Sequence, residues 1–124
     1  MTFAATRIIT DDVDGLVAFY ETVTGGAVER LHPLFAQLNT SIGNLAIASS
    51  ATASLLGERA VEPAANRSVV LDFLVADVDA EYRRLRGVVT SFVNEPTDMP
   101  WGNRSLLFRD PDGNLVNFFT PLNE

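Results

Sequence analysis

The sequence predicts an α+β fold built from two copies of a βαβββ unit, and three observations carry that prediction. The first is a hairpin. Asp110-Pro111-Asp112-Gly113 separates two runs rich in aromatic and branched residues, 104–109 and 115–120, the second closed by Pro121. Pro111 presets φ for the second position of a type I turn, Asp110 can accept from backbone N–H groups two residues on, and Gly113 tolerates the left-handed conformation. The second observation is a repeated helix start, Asp12-Val13-Asp14-Gly15 and Asp77-Val78-Asp79-Ala80. The third is a repeated strand entry, Gly43-Asn44-Leu45-Ala46-Ile47 and Gly113-Asn114-Leu115-Val116-Asn117. The offsets, 77 − 12 = 65 and 113 − 43 = 70, fit a doubled supersecondary unit that has gained about five residues in its second copy, placed in the 96–102 loop.

Taken in order, residues 5–10 read as a first strand and Asp12 as the N-cap of a helix. Val13, Leu16, Val17, Tyr20 and Val23 share one face of that helix, and Gly25-Gly26 ends it. Residues 27–31, 34–39 and 41–48 make three short apolar runs, as an antiparallel meander would. Residues 49–67 lack periodicity and contain Gly57 and Pro63; they are expected to form a connection with one helical turn at 53–56. Connections of that length tend to cover a site or an interface. Residues 68–76 repeat the first strand, and Asp77 caps a helix with acids in its first turn, arginines in its last and a stop at Gly87. A strand over 88–95, a loop over 96–102 and the hairpin complete the second unit. The expected organisation is a single domain with module one at 1–48, a connecting loop at 49–67 and module two at 68–124. Each module should form a curved mixed sheet with its helix on one face, the two modules enclosing a cleft.

Composition narrows the function classes. A chain of 124 residues can bury roughly two-thirds of its unfolded surface in one core. No run approaches the ~18 apolar residues of a spanning helix, and the N-terminus shows no basic lead before an apolar stretch, so a cytoplasmic protein with no membrane role is expected. Cysteine is absent, which excludes disulfides and thiolate ligands. Sixteen acidic residues face nine basic ones, all arginine, for a net charge of −7. The one basic cluster, Arg83-Arg84-Arg86, sits at a helix C-terminus, so nucleic acid is not an expected partner, while cationic or neutral small ligands suit the field.

Residues 100–102, Pro-Trp-Gly, and the turn Asp110-Pro111-Asp112-Gly113-Asn114, together with the Asp-Val-Asp helix starts and Phe19-Tyr20, resemble the vicinal oxygen chelate superfamily. That superfamily includes glyoxalase I, extradiol dioxygenases and bleomycin-resistance proteins. The likeness covers nearly the whole chain and looks most like the small antibiotic-binding members. Metal-dependent relatives carry a ligand seven residues before each helix-capping Asp and one four residues after each turn Gly. Carried over, those positions are Ala5, Ile47, Val70 and Asn117. Alkyl groups have no lone pair to donate, and Asn117 offers one weak oxygen where a catalytic site wants about three protein ligands. No metal and no other cofactor is therefore expected. His32, the single histidine, reads as an exposed hairpin residue before Pro33.

Strand alternation assigns the cleft face. If Ala5 and Val70 face it, so do Arg7 and Ile9 in module one and Asp72 and Leu74 in module two. Arg7 and Asp72 occupy equivalent places, and the resemblance implies that their strands lie near a pseudo-twofold axis. They are expected to approach as a structural ion pair; the functional alternative makes Asp72 a base or an anchor for a cation. Trp101 is either a packing plug or an indole wall that stacks on a planar or cationic ligand. Leu45, Ile47, Leu115 and Phe119 would line the cleft, and Asn117 would orient the ligand. The expectation is a metal-free protein that binds or sequesters a planar or cationic small molecule, as a homodimer. The alternative is a lyase, isomerase or dioxygenase of the glyoxalase kind, with a divalent metal or with Asp72 as base.

Overall fold

The computed structural model describes residues 1–122. The first compact unit, Met1–Ala65, runs β1 (Ala5–Thr10), α1 (Val13–Thr24), β2 (Val28–His32), β3 (Phe35–Asn39) and β4 (Asn44–Ser49), followed by a 3-10 turn at Ser50–Leu55. The second unit begins at Asn66 and runs β5 (Val70–Leu74), α2 (Val78–Leu85), β6 (Thr97–Asp98), β7 (Asn103–Arg109) and β8 (Leu115–Pro121). Each unit holds one four-stranded mixed sheet, ordered β1-β4-β3-β2 and β5-β8-β7-β6, with one parallel pair and two antiparallel pairs. The fold is α+β and built of two βαβββ modules. No helix is long and apolar enough to cross a membrane among the described residues.

The same local chemistry starts both helices. Asp12 Oδ1 accepts from Gly15 N at 2.9 Å and Asp77 Oδ1 from Ala80 N at 3.2 Å, each satisfying one orphan N–H of a first turn. Gly25, at φ 72°, ends α1 in the left-handed conformation that an L side chain resists. In unit one, Leu16, Tyr20 and Val23 of α1 are buried together with Ala36, Leu38, Leu45 and Ile47 of the sheet. In unit two an edge-to-face chain of rings runs Phe73, Phe118, Phe108, Phe92, Tyr82, tying β5, β8 and β7 to α2.

The hairpin turn is stitched by its own side chains. Asp110 Oδ1 accepts from Asp112 N and Asn114 N, and Asp110 Oδ2 accepts from Asn114 Nδ2, so a nearly buried carboxylate is fully engaged. Gly113 N donates to Asp110 O, with Gly113 at φ 87°.

Two elements differ from expectation. The strand expected over 88–95 is not one: Phe92 makes an isolated bridge to Phe108, Val93 N and Arg109 N bond across to Leu107 O and Ser91 O, and Asn94 Oδ1 accepts from Leu107 N. A side chain takes the ladder's place there. Strand pairing then resumes at β6, inside the segment expected to be only a loop. The 3-10 turn begins at Ser50, three residues ahead of the expected turn, because Ser49 caps it through Ala51 N.

Candidate functional site

Each sheet turns one face to its helix, and the other face bears a cavity. In unit one the cavity has a volume of about 540 Å³ and is lined from the sheet by Ala5, Arg7, Ile9, Phe35, Gln37 and Ala46, with Leu56 and Val61 from the connection. Arg7 is its single charged group, and the guanidinium lies 5.8 Å from the Phe35 ring centroid. Leu56 and Val61 follow the 3-10 turn, so the connecting segment supplies part of the cavity wall within its own unit.

Leu45 and Ile47 do not line this cavity. They are 6% and 0% exposed, on the opposite face of β4, and Ala46 takes the place assigned to Ile47. The cause is turn length. Asn39 pairs with Asn44 across four intervening residues, whereas Arg109 pairs with Leu115 across five. Counting from the turn glycine therefore slips by one in β4, and a slip of one exchanges the faces of a strand. The position equivalent to Asn117 is Ala46, since Arg7 pairs with Ala46 as Asp72 pairs with Asn117.

In unit two the cavity has a volume of about 390 Å³. Its polar floor comes from Asp72, Asn117, Ser105 and Asn103, and its apolar walls from Val70, Phe119, Leu107, Met99 and Trp101. Asp72 and Asn117 are register partners on the parallel strands β5 and β8, and Asn117 Nδ2 donates to Asp72 Oδ1 at 3.0 Å. Asn117 Oδ1 is buried and has no hydrogen-bond partner among the described residues. An orphaned acceptor of this kind is uncommon in a folded protein. Leu115 pairs with Val70 and lines a smaller, adjoining hollow of about 150 Å³ with it. Leu74, on the Asp72 face, is exposed and lies outside the cavity.

Trp101 is 72% exposed, so it is not a packing plug. It stands on an extension that unit one lacks. His32 and Phe35 pair three residues apart, while the equivalent Thr97 and Ser105 pair eight apart, and Trp101 falls among the five extra residues. Gly102, at φ 102°, makes the reversal possible. Arg104 braces the same region from the helix side of the sheet. Its Nε and Nη2 donate to the two Asp79 oxygens at 3.1 Å each, and its Nη1 to Asp98 Oδ1 at 2.8 Å. The hydrogen bonds from Arg104 hold the Asp79 carboxyl below the ordinary carboxylate value.

Sequence reasoning missed Asn103, Ser105, Leu107 and Met99 of this cavity, and Phe35, Gln37 and Ala46 of the first. Alternation on β7 and β3 carries that signal, since Leu107 lies opposite Asn117 and Gln37 opposite Ala46. His32 is exposed at a bulge, where Nδ1 accepts from Leu34 N at 3.1 Å. The metal that the resemblance implies does not fit these residues. Ala5, Ala46 and Val70 offer only carbon, Asn117 a single amide oxygen, and among the described residues no three His, Cys, Asp or Glu side chains gather to hold an ion.

The sequence model of the Glyoxalase/Bleomycin resistance protein/Dioxygenase superfamily matches residues 2–118. The Bacillus subtilis (strain 168) protein YraH, itself uncharacterized, is 31% identical over 124 residues, covering 94% of this chain and 95% of YraH. A glyoxalase/bleomycin resistance protein/dioxygenase from Nocardioides superposes with a TM-score of 0.80 at 27% identity, over 99% of this chain and 85% of that one. A family enzyme from Burkholderia phytofirmans PsJN superposes with a TM-score of 0.87 over 98% of this chain and 100% of that one; at 19% identity the likeness is one of fold.

Proposed function

Given that this chain belongs to the Glyoxalase/Bleomycin resistance protein/Dioxygenase superfamily, we propose that it is a metal-free small-molecule-binding protein that sequesters a planar or cationic ligand. The observation that carries this reading is the unit-two cavity: an acceptor pair, Asp72 and Asn117, below an exposed indole, Trp101. A pocket with apolar walls and a few convergent polar groups is the ordinary make-up of a small-molecule site. The net charge of −7 favours approach of cations.

Binding follows from three parts. Trp101 and Phe119 supply aromatic surface, Leu115 and Val70 extend it, and Asp72 with Asn117 fixes orientation. Arg7 over Phe35, with Ala46 beside it, serves the unit-one cavity as a second recognition surface. The metal-dependent activities of the superfamily are disfavoured by the donor set. Asp72 is exposed, so it lacks the desolvated setting on which general-base work relies. The same reading makes the protein a cytoplasmic homodimer. Within unit two the exposed apolar side chains of Val70, Leu74 and Val93 leave area that self-association would cover.

The test is a thermal-shift screen of planar and cationic compounds, repeated on Trp101→Ala. Ligand at ~100 times its dissociation constant should stabilise the native protein by about 2.7 kcal/mol. Trp101→Ala should lose most of that gain while keeping its own stability within about 0.5 kcal/mol, because an exposed side chain contributes little to folding. A screen without hits, or hits indifferent to Trp101, would sink the reading. Light scattering decides the dimer.

A further inference from the structure

Resting on the binding reading above, we infer that the unit-two cavity selects an amidinium- or guanidinium-type group, a planar cation that presents two neighbouring N–H donors. The argument is a count of donors and acceptors. A carboxylate only accepts, and an amide both donates and accepts. Asn117 spends an Nδ2 hydrogen on Asp72 Oδ1, which fixes the amide orientation, because the reverse would set two acceptors against each other. Its Oδ1 is then left buried and without a partner among the described residues. Beside it stands Asp72, whose second oxygen, Oδ2, carries the remaining acceptor capacity of the carboxylate. The pair therefore carries two acceptors and one negative charge, Asp72 Oδ2 on an exposed side chain and Asn117 Oδ1 beneath the surface, where a ligand N–H meets it after a small shift of the amide.

A ligand carbonyl, ether or carboxylate at this place would leave Asn117 Oδ1 unpaired and meet Asp72 with like polarity. A primary ammonium would satisfy the charge but is a compact point with no flat face for Trp101 and Phe119. An amidinium or guanidinium meets every condition. Its two N–H groups lie in one plane at the spacing of a bidentate partner, its charge is delocalised, and its faces stack on aromatic rings.

The single tryptophan, Trp101, reports on the cavity through its fluorescence. Three isosteric probes separate the possibilities: benzamidinium with two donor groups, benzamide with one donor and one acceptor, and benzoate with acceptors only. The expected order of affinity is benzamidinium first, benzamide about tenfold or more weaker, and benzoate without response. Asp72→Asn keeps an oxygen for Asn117 Nδ2 but removes the charge, and Asn117→Leu removes the orphaned acceptor. Both should weaken benzamidinium by about tenfold or more and leave benzamide less affected. Benzamide or benzoate binding as tightly as benzamidinium, or benzamidinium binding indifferent to both substitutions, would overturn the inference. So would silence from all three probes, and in that case hits from the broader screen that depend on Trp101 would show that the binding reading survives without it.

Discussion

Asp72 and Asn117 face each other in register on β5 and β8, and the 3.0 Å bond from Asn117 Nδ2 to Asp72 Oδ1 leaves Asn117 Oδ1 buried with no partner among the described residues. A buried acceptor without a partner costs about 1–3 kcal/mol. Asp72 is exposed, so water can replace the bond it would lose. Asn117→Leu should therefore stabilise the ligand-free protein, by about 1 kcal/mol, while weakening benzamidinium binding by about tenfold or more. Urea unfolding at constant m-value checks the first half; a loss of stability would mean that the Asp72 bond outweighs the orphaned oxygen.

The donor set at the superfamily's metal positions leads to a second expectation. After incubation with zinc, nickel or manganese and desalting, the protein should retain less than about 0.1 metal per chain by elemental analysis, because one amide oxygen cannot replace about three ligands. Retention near one per chain, lost in Asn117→Leu or Asp72→Ala, would move the function toward the enzymes of the superfamily.

The hairpin turn and the helix caps use the same residue type at very different depth. Asp110 is 4% exposed and accepts from two backbone N–H groups and one amide. Asp110→Ala strands those donors and should cost about 2–4 kcal/mol. Asp12 satisfies one exposed N–H, so Asp12→Ala should cost about 1 kcal/mol. Chemical denaturation of the two variants side by side tests the ranking, and equal costs would contradict it.

Arg104 lowers the Asp79 pKa below its ordinary 3.8. A carboxyl whose folded pKa is depressed contributes stability that is present above its unfolded value and is lost as pH falls through the folded value. The raised pKa of Arg104 acts only far above neutrality, so it leaves the acid limb alone. Arg104→Met should bring the Asp79 titration, followed by carboxyl NMR, back up toward 3.8 and flatten the loss of stability below that pH. An unmoved Asp79 midpoint would show that Arg83, which also lowers it, supplies the effect.

Much of this protein is decided locally and was legible in the chain. Asp12 and Asp77 cap their helices, Gly25 ends α1, and Asp110 to Gly113 turns the hairpin, because each depends on bonds between residues two to four apart. The repeat could be read for the same reason, since two copies of a local code look alike. Alternation then put Arg7, Asp72, Asn117 and Phe119 on cavity-lining faces, as one strand fixes its own two faces.

What the sequence by itself determined was therefore both helices, the strands other than the one before β7, their order, and the faces of β1, β5 and β8. Tertiary structure decided the faces of β4, where one residue fewer in the turn before Asn44 sends Leu45 and Ile47 into the core and turns Ala46 to the cavity. It decided the segment before β6, where Asn94 replaces a ladder bond with its side chain. It also decided the site chemistry. Asn117 is an anomaly in an apolar stripe until Asp72, 45 positions earlier, accepts from its Nδ2 and fixes which atom is left without a partner among the described residues. Turn and cap chemistry is set by neighbours in the chain, whereas register and the partner of a polar atom are set by strands that meet only once the sheet has formed.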